Sequence, residues 1–235
     1  MARPSQEELN SVPHHFIACR SITNPYNVYS FEQEALQRIE QLFEQHDTLI
    51  AVGGSGLYID ALTKGVAILP DPLPGLREQL KQQLETEGIA CFQRQLKQLD
   101  PKYYERVDLK NPVRLQRALE VCITAGRPYS ELLEQKQSAR NFETKKTVLT
   151  APNDTLRQRI NLRVDQMLEM GLEEEVRQLT PFRHLNTLNT VGYKEFYQAW
   201  DNGIFDTTTI ANTIKNHTWQ YAKKQLTWIK RSTKA

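Results

Sequence analysis

TLIAVGGSGLYIDALTK, residues 48–64, is the stretch on which the fold turns. Thr48 to Val52 is a short apolar run, Gly53-Gly54-Ser55-Gly56 follows it, and Leu57 to Lys64 has helical character with Gly65 as its stop. The pattern predicts a strand, a glycine loop and a helix, which is a fragment of an α/β layer. Backbone N–H groups of such a turn, with the Ser55 hydroxyl, can cradle a phosphate. The plainer reading is a tight turn and nothing more. The sequence contains no G-x-x-x-x-G-K-[ST], which excludes a complete nucleotide P-loop within it.

Upstream of this stretch, Ser30 to His46 places Phe31, Ala35, Leu36, Ile39, Leu42 and Phe43 at helical spacing behind a capping box of Ser30 and Gln33. Downstream, LPDPLPG from Leu69 to Gly75 breaks regular structure and suits a linker. Helical periodicity then runs through Leu76, Leu80 and Leu84 to Gly88, through Ile89, Phe92, Leu96 and Leu99 to Asp100-Pro101, and through Pro112 to Ala125 before Gly126. These helices read as an insertion. Thr147 to Thr150 is a candidate for one more strand. Asp154 to Met170 predicts a helix with Leu156, Ile160, Val164 and Met167 inward, and Asn189 to Trp200 and Thr208 to Arg231 supply the last helices.

The 235 residues suffice for one large domain or two small ones. Charged residues make up 25% and apolar residues 39%, which fits a soluble folded chain and is too apolar for a disordered one. The longest apolar runs, Leu49 to Val52 and Val66 to Leu69, fall far short of the roughly 20 residues of a membrane helix. The amino terminus has no apolar segment of the secretory kind. Three cysteines without pattern, Cys19, Cys91 and Cys122, point to a reducing cytoplasm and away from a zinc site. The net charge of +2 says little, but Asn212 to Ala235 holds Lys215, Lys223, Lys224, Lys230, Arg231 and Lys234 and no acidic residue. That end is a candidate anion-binding segment.

Arg114 and Arg117 stand three apart at the start of a helix whose other face is Leu115, Leu119 and Cys122. Two guanidinium groups on one face can clamp phosphates or stack on bases. They can equally be a solvated face paired with Glu120. Arg159 and Arg163, and Arg77 singly, invite the same two readings. In the last helix Lys215, Trp219, Lys223, Leu226 and Lys230 form a basic stripe with an aromatic, the combination that binds looped RNA, or else a solubilising face with one packed ring. His14 and His15 are adjacent in an extended segment and point apart, so no metal ligand is expected there.

Together these segments resemble the tRNA dimethylallyltransferases (tRNA isopentenyltransferases). The carrying stretches are Ala2-Arg3-Pro4-Ser5 with Val12-Pro13-His14-His15-Phe16, VGGSGLYIDAL from Val52, DPKYYERV from Asp100, NPVRLQRALEV from Asn111, INLRVDQMLEMGLEEEV from Ile160, NTVGYKEF from Asn189 and YAKKQLTWIKR from Tyr221. The resemblance implies an α/β, predominantly helical fold: a truncated, nucleotide-binding (ATP-binding) P-loop-kinase-like core with a parallel sheet and a helical insertion. Its parts would be a partial core over 1–69, a tRNA-contacting helical insertion over 70–142, and a return to the core with a basic C-terminal helix over 143–235.

The family's reaction transfers a dimethylallyl group from its diphosphate to the exocyclic amine of the adenosine on the 3′ side of the anticodon. Magnesium assists departure of the diphosphate, and the base is drawn out of its loop. By position, Ser55 matches a threonine near the reacting centre. Gly53 and Gly54 are expected on the diphosphate. Arg77, the stretch Val113, Arg114, Leu115, Gln116 and Arg117, and then Lys223, Lys224 and Gln225 match tRNA contacts. Trp219 stands where the family usually has a diphosphate-binding arginine, and Asn153 where an arginine usually begins the long helix. Ala2-Arg3-Pro4 normally lies some tens of residues into the family, so its first strand, P-loop and general-base aspartate are expected to be absent from this sequence. The partners implied are a tRNA anticodon stem-loop and dimethylallyl diphosphate, with no membrane, acting as a cytoplasmic monomer. The alternative is a catalytically inactive remnant that still binds RNA.

Overall fold

The computed structural model describes residues 4–134 and 139–232, so Ala2, Arg3 and Lys234 lie outside the described residues. In chain order the helices are α1 (Gln6–Ser11), α2 (Val28–Phe43), α3 (Gly56–Lys64), α4 (Leu76–Glu87), α5 (Ile89–Leu99), α6 (Pro101–Tyr104), α7 (Pro112–Ala125), α8 (Tyr129–Leu133), α9 (Asn153–Glu169), α10 (Leu172–Gln178), α11 (Lys194–Asp201) and α12 (Thr207–Ser232). None is long and apolar enough to cross a membrane.

The expected parallel-sheet core is overturned: among the described residues there is no strand. Thr48 to Val52 and Thr147 to Thr150 carry strand-like composition but no regular structure. A strand exists only through the ladder it shares with a neighbour. Without one, Ile50, Val52 and Leu149 stand 87%, 95% and 90% exposed.

The chain divides into two units, and each has its own apolar core. One comprises Asn27–Val52 and Leu57–Thr144. Here α4, α5 and α7 bury Leu76, Leu80, Cys91, Phe92, Leu96, Leu115, Ala118 and Leu119. Caps set the element ends. Asn111 accepts from the Arg114 N–H at 3.2 Å to open α7, with Pro112 at its first position, and Gly126 closes it at φ 62°. Asp100, 1% exposed, accepts from the Tyr103 N–H to cap α6 and from both the backbone N–H and the hydroxyl of Ser130, at 2.7 Å each, to hold α8. The α2 helix starts three residues earlier than a Ser30 cap implies, because Asn27 and not Ser30 supplies the cap, accepting from the Ser30 N–H at 2.9 Å.

The other unit holds the residues up to Tyr26, Gly53–Gly56 and everything from Lys145 onward. Its core joins α9, α10, α11 and α12 through Val164, Leu172, Val176, Leu188, Phe196, Tyr197, Ile210 and Ile214. Glu195 is buried beside it, accepting from the Gly192 N–H at 2.7 Å and lying 2.6 Å from His217 Nδ1 on α12. Thr190 to Tyr193, read from the sequence as helix, is a turn that this carboxylate organises. Cys91 and Cys122 are buried and Cys19 is exposed, all as free thiols.

Candidate functional site

Two groups of the residues singled out above are brought together, one in each unit. In the first, Arg77 on α4 donates from Nε and Nη2 to the two oxygens of Glu120 on α7, at 2.9 and 3.0 Å. Gln116 donates to the same carboxylate at 3.2 Å and Arg117 at 3.4 Å. The Glu120 side chain is 3% exposed and that of Arg77 60%, so a buried anion anchors a cation whose remaining N–H edge faces water. Burial alone would push the Glu120 carboxyl up, but the hydrogen bonds and charge of Arg77, with Gln116 and Arg117, outweigh it and hold that carboxyl below its usual range. The same bonds raise the Arg77 guanidinium. Arg114 and Val113 are exposed one turn away, whereas Leu115 is fully buried in the core and anchors the helix that presents them.

In the second unit the glycine turn meets the end of α12. Gln225 Nε2 donates to the Gly54 carbonyl at 2.9 Å. A Cβ at Gly54 would lie 2.3 Å from that nitrogen, and one at Gly56 would lie 2.4 to 2.6 Å from ring atoms of Trp228. At Gly53 a Cβ would meet nothing within 4 Å. Lys146 places its ammonium 5.1 Å from the Trp228 ring centre. Ser55 is half-buried, and Lys223 and Lys224 are exposed on the same helix. Trp219 is half-buried with Arg157 and Lys223 over its ring at 5.8 and 5.9 Å, so two cations stand at this position although its own side chain has no charge. Asn153 opens α9 and is exposed. Lys215 is paired with Asp165 at 2.5 Å.

Magnesium takes oxygen ligands, commonly carboxylates together with substrate phosphates. The side chains that meet the glycine turn are the Gln225 amide and the Trp228 indole, neither of them a carboxylate, and no group of three or more His, Cys, Asp or Glu that would hold a metal occurs among the described residues. The residues of this turn do not fit that ion. His14 and His15 are exposed, with His14 Nδ1 2.8 Å from the Val12 carbonyl.

Sequence reading named Glu120 as a partner for the arginines of its own helix but missed that Arg77 and Gln116 share it, and it missed Trp228 as the partner of Gly56. The first had a signal for Gln116, a lone acidic residue four positions beyond it. The second had one too, since a turn with three glycines in four positions marks close approach by another part of the chain.

The IPP transferase family model matches residues 1–232. The chain belongs to this family. It is 45% identical over 230 residues to a tRNA dimethylallyltransferase of Christiangramia forsetii, covering 98% of this chain and 76% of that protein. The tRNA dimethylallyltransferase of Flavobacterium johnsoniae is likewise 45% identical, with the same shares covered. Among solved structures, the full-length tRNA isopentenylpyrophosphate transferase of Bacillus halodurans superposes with a TM-score of 0.63 at 29% identity, over 97% of this chain and 72% of that one. A eukaryotic dimethylallyltransferase acting on tRNA superposes with a TM-score of 0.76 at 25% identity, over 96% of this chain and 58% of that one. The IPP transferase match therefore takes in both units, including α7 and the glycine turn.

Proposed function

We propose that this chain transfers a dimethylallyl group from dimethylallyl diphosphate to the exocyclic amine of the adenosine on the 3′ side of the anticodon in tRNA. The observation that carries this reading is the family match over residues 1–232, with relatives 45% identical that are named for that activity. In the reaction the amine nitrogen forms a bond to the allylic carbon, the carbon–oxygen bond to diphosphate breaks with its electron pair going to oxygen, and the amine loses a proton to a base. Growing charge on the leaving diphosphate is what the site must stabilise.

The side chains suit two tasks. Arg77, Arg114 and Arg117, backed by Glu120, and Lys223 and Lys224 on α12 give cations for the phosphates of an anticodon stem-loop. The Gly53–Ser55 backbone and the Ser55 hydroxyl supply neutral donors of the kind that hold a diphosphate. The chain works as a monomer in the cytoplasm, where unmodified tRNA is found.

The test is transfer of labelled dimethylallyl from its diphosphate to unmodified tRNA, in a buffer containing magnesium. Label in the tRNA, at the adenosine beside the anticodon, supports the reading. No transfer by a folded chain that still binds tRNA means an inactive RNA-binding member of the family.

A further inference from the structure

We infer that Gln225 and Trp228 are positioning residues of the glycine turn and not contacts to RNA, as the resemblance would have Gln225. They stand three apart on α12 and so share one face. One fixes the direction of the turn's backbone and the other fixes how closely the turn approaches. The Gln225 amide holds the Gly54 carbonyl at 2.9 Å. The Gly54–Ser55 peptide is trans and planar, so pinning the carbonyl toward α12 aims the Ser55 N–H the opposite way, off the helix. Trp228 lies flat against Gly56, close enough that any side chain there would collide with three of its ring atoms.

Gly54 and Gly56 are thus glycines because α12 is against them, while Gly53, with open space around its Cα, keeps its backbone free to approach a ligand. Gln225 commits one amide N–H to the turn, which fixes the direction of its side chain. The RNA contacts of this stretch fall to its exposed neighbours Lys223 and Lys224.

This inference rests on reading the turn as the diphosphate side of the site, and two probes separate the two ideas. Dimethylallyl diphosphate binding is followed by titration calorimetry, and binding of an unmodified anticodon stem-loop by fluorescence anisotropy. Gln225→Met, which keeps the length of the side chain and removes its donor, is expected to weaken the diphosphate about tenfold and to leave the stem-loop within twofold of wild type.

The reverse pattern, a weakened stem-loop with the diphosphate unchanged, overturns the inference and leaves the diphosphate reading standing. A wild-type chain that binds the stem-loop and no diphosphate removes the reading and the inference together. Should Gln225→Met fail to fold, Gly54→Ala displaces the same amide from the other side and is expected to give the same split between the two probes.

Discussion

Arg140 is 8% exposed and donates three times: to Glu32 at 2.5 Å, to the Ala61 carbonyl at 2.6 Å and to the Leu62 carbonyl at 3.0 Å. Ala61 and Leu62 sit in the last turn of α3, where carbonyls run out of helical partners and a cation is favoured. Glu32, 6% exposed, uses its other oxygen for the Val66 N–H at 3.1 Å. Removing one partner of such a buried pair is far worse than never having had it. Glu32→Ala is therefore expected to cost about 3–5 kcal/mol, read as a lower urea midpoint at unchanged slope. Glu32→Gln keeps an acceptor for Val66 and should lose clearly less. If Glu32→Ala unfolds at the wild-type midpoint, the pair is not holding α2 to α3. Nothing in the local pattern betrays this pair, because the partners lie 108 residues apart and Glu32 adjoins the apolar stripe of its helix without belonging to it.

The two glycines of the turn at α3 differ in what they would strike. At Gly56 an added Cβ meets an indole ring that cannot bend away, so Gly56→Ala is expected to destabilise by about 1–3 kcal/mol, seen as a lower thermal midpoint. At Gly54 it meets the far end of Gln225, which can swing aside, and Gly54→Ala should cost clearly less in the same melt. Equal losses would show that Trp228 gives way as easily as Gln225. Helices were the legible part of this chain, because periodicity and caps act within a few residues of each other; Pro112–Ala125 and its Gly126 stop were read without error. Strands were not, because an apolar run of five residues becomes a strand only when something pairs with it.

The clustering on α7 was half legible: three-residue spacing showed that Arg114 and Arg117 share a face, but not that Arg77, 43 residues from Glu120, closes on the same carboxylate. That carboxylate gives α7 a pH signature. Its folded value is depressed, so the unfolded chain binds the proton more readily and stability rises with pH across the window. The contribution is present above the ordinary carboxylate value of about 4.3 and disappears as pH falls through the lower folded value. Glu120→Gln should flatten the acid limb of a stability–pH curve and leave its shape near neutrality unchanged. An identical acid limb in that variant would mean that other carboxylates control it.

For the molecule as a whole, a net charge of +2 is too small to draw RNA by a general field, so affinity must come from local cations. The proposed set is Arg77, Arg114, Arg117, Lys223 and Lys224, while Lys215 is already occupied by Asp165. Each phosphate neutralised lowers the slope of log affinity against log salt by about 0.7 to 0.9, so five contacts set a slope near −4. Stem-loop affinity should then fall by roughly two orders of magnitude between 50 and 200 mM salt. Lys223→Ala or Lys224→Ala should each make the slope shallower by about one contact, and by the same amount for every stem-loop tried, because a phosphate contact carries no base information. Arg77→Ala is a sharper case. It removes a phosphate cation and also strips Glu120 of its main partner, leaving a buried anion beside Arg117. Its effect should exceed that of a single lysine, and Arg77→Ala combined with Glu120→Gln should recover part of the stability but none of the salt slope. A slope near zero for the wild-type chain would place RNA binding on stacking and shape, and would take these five residues out of the interface together.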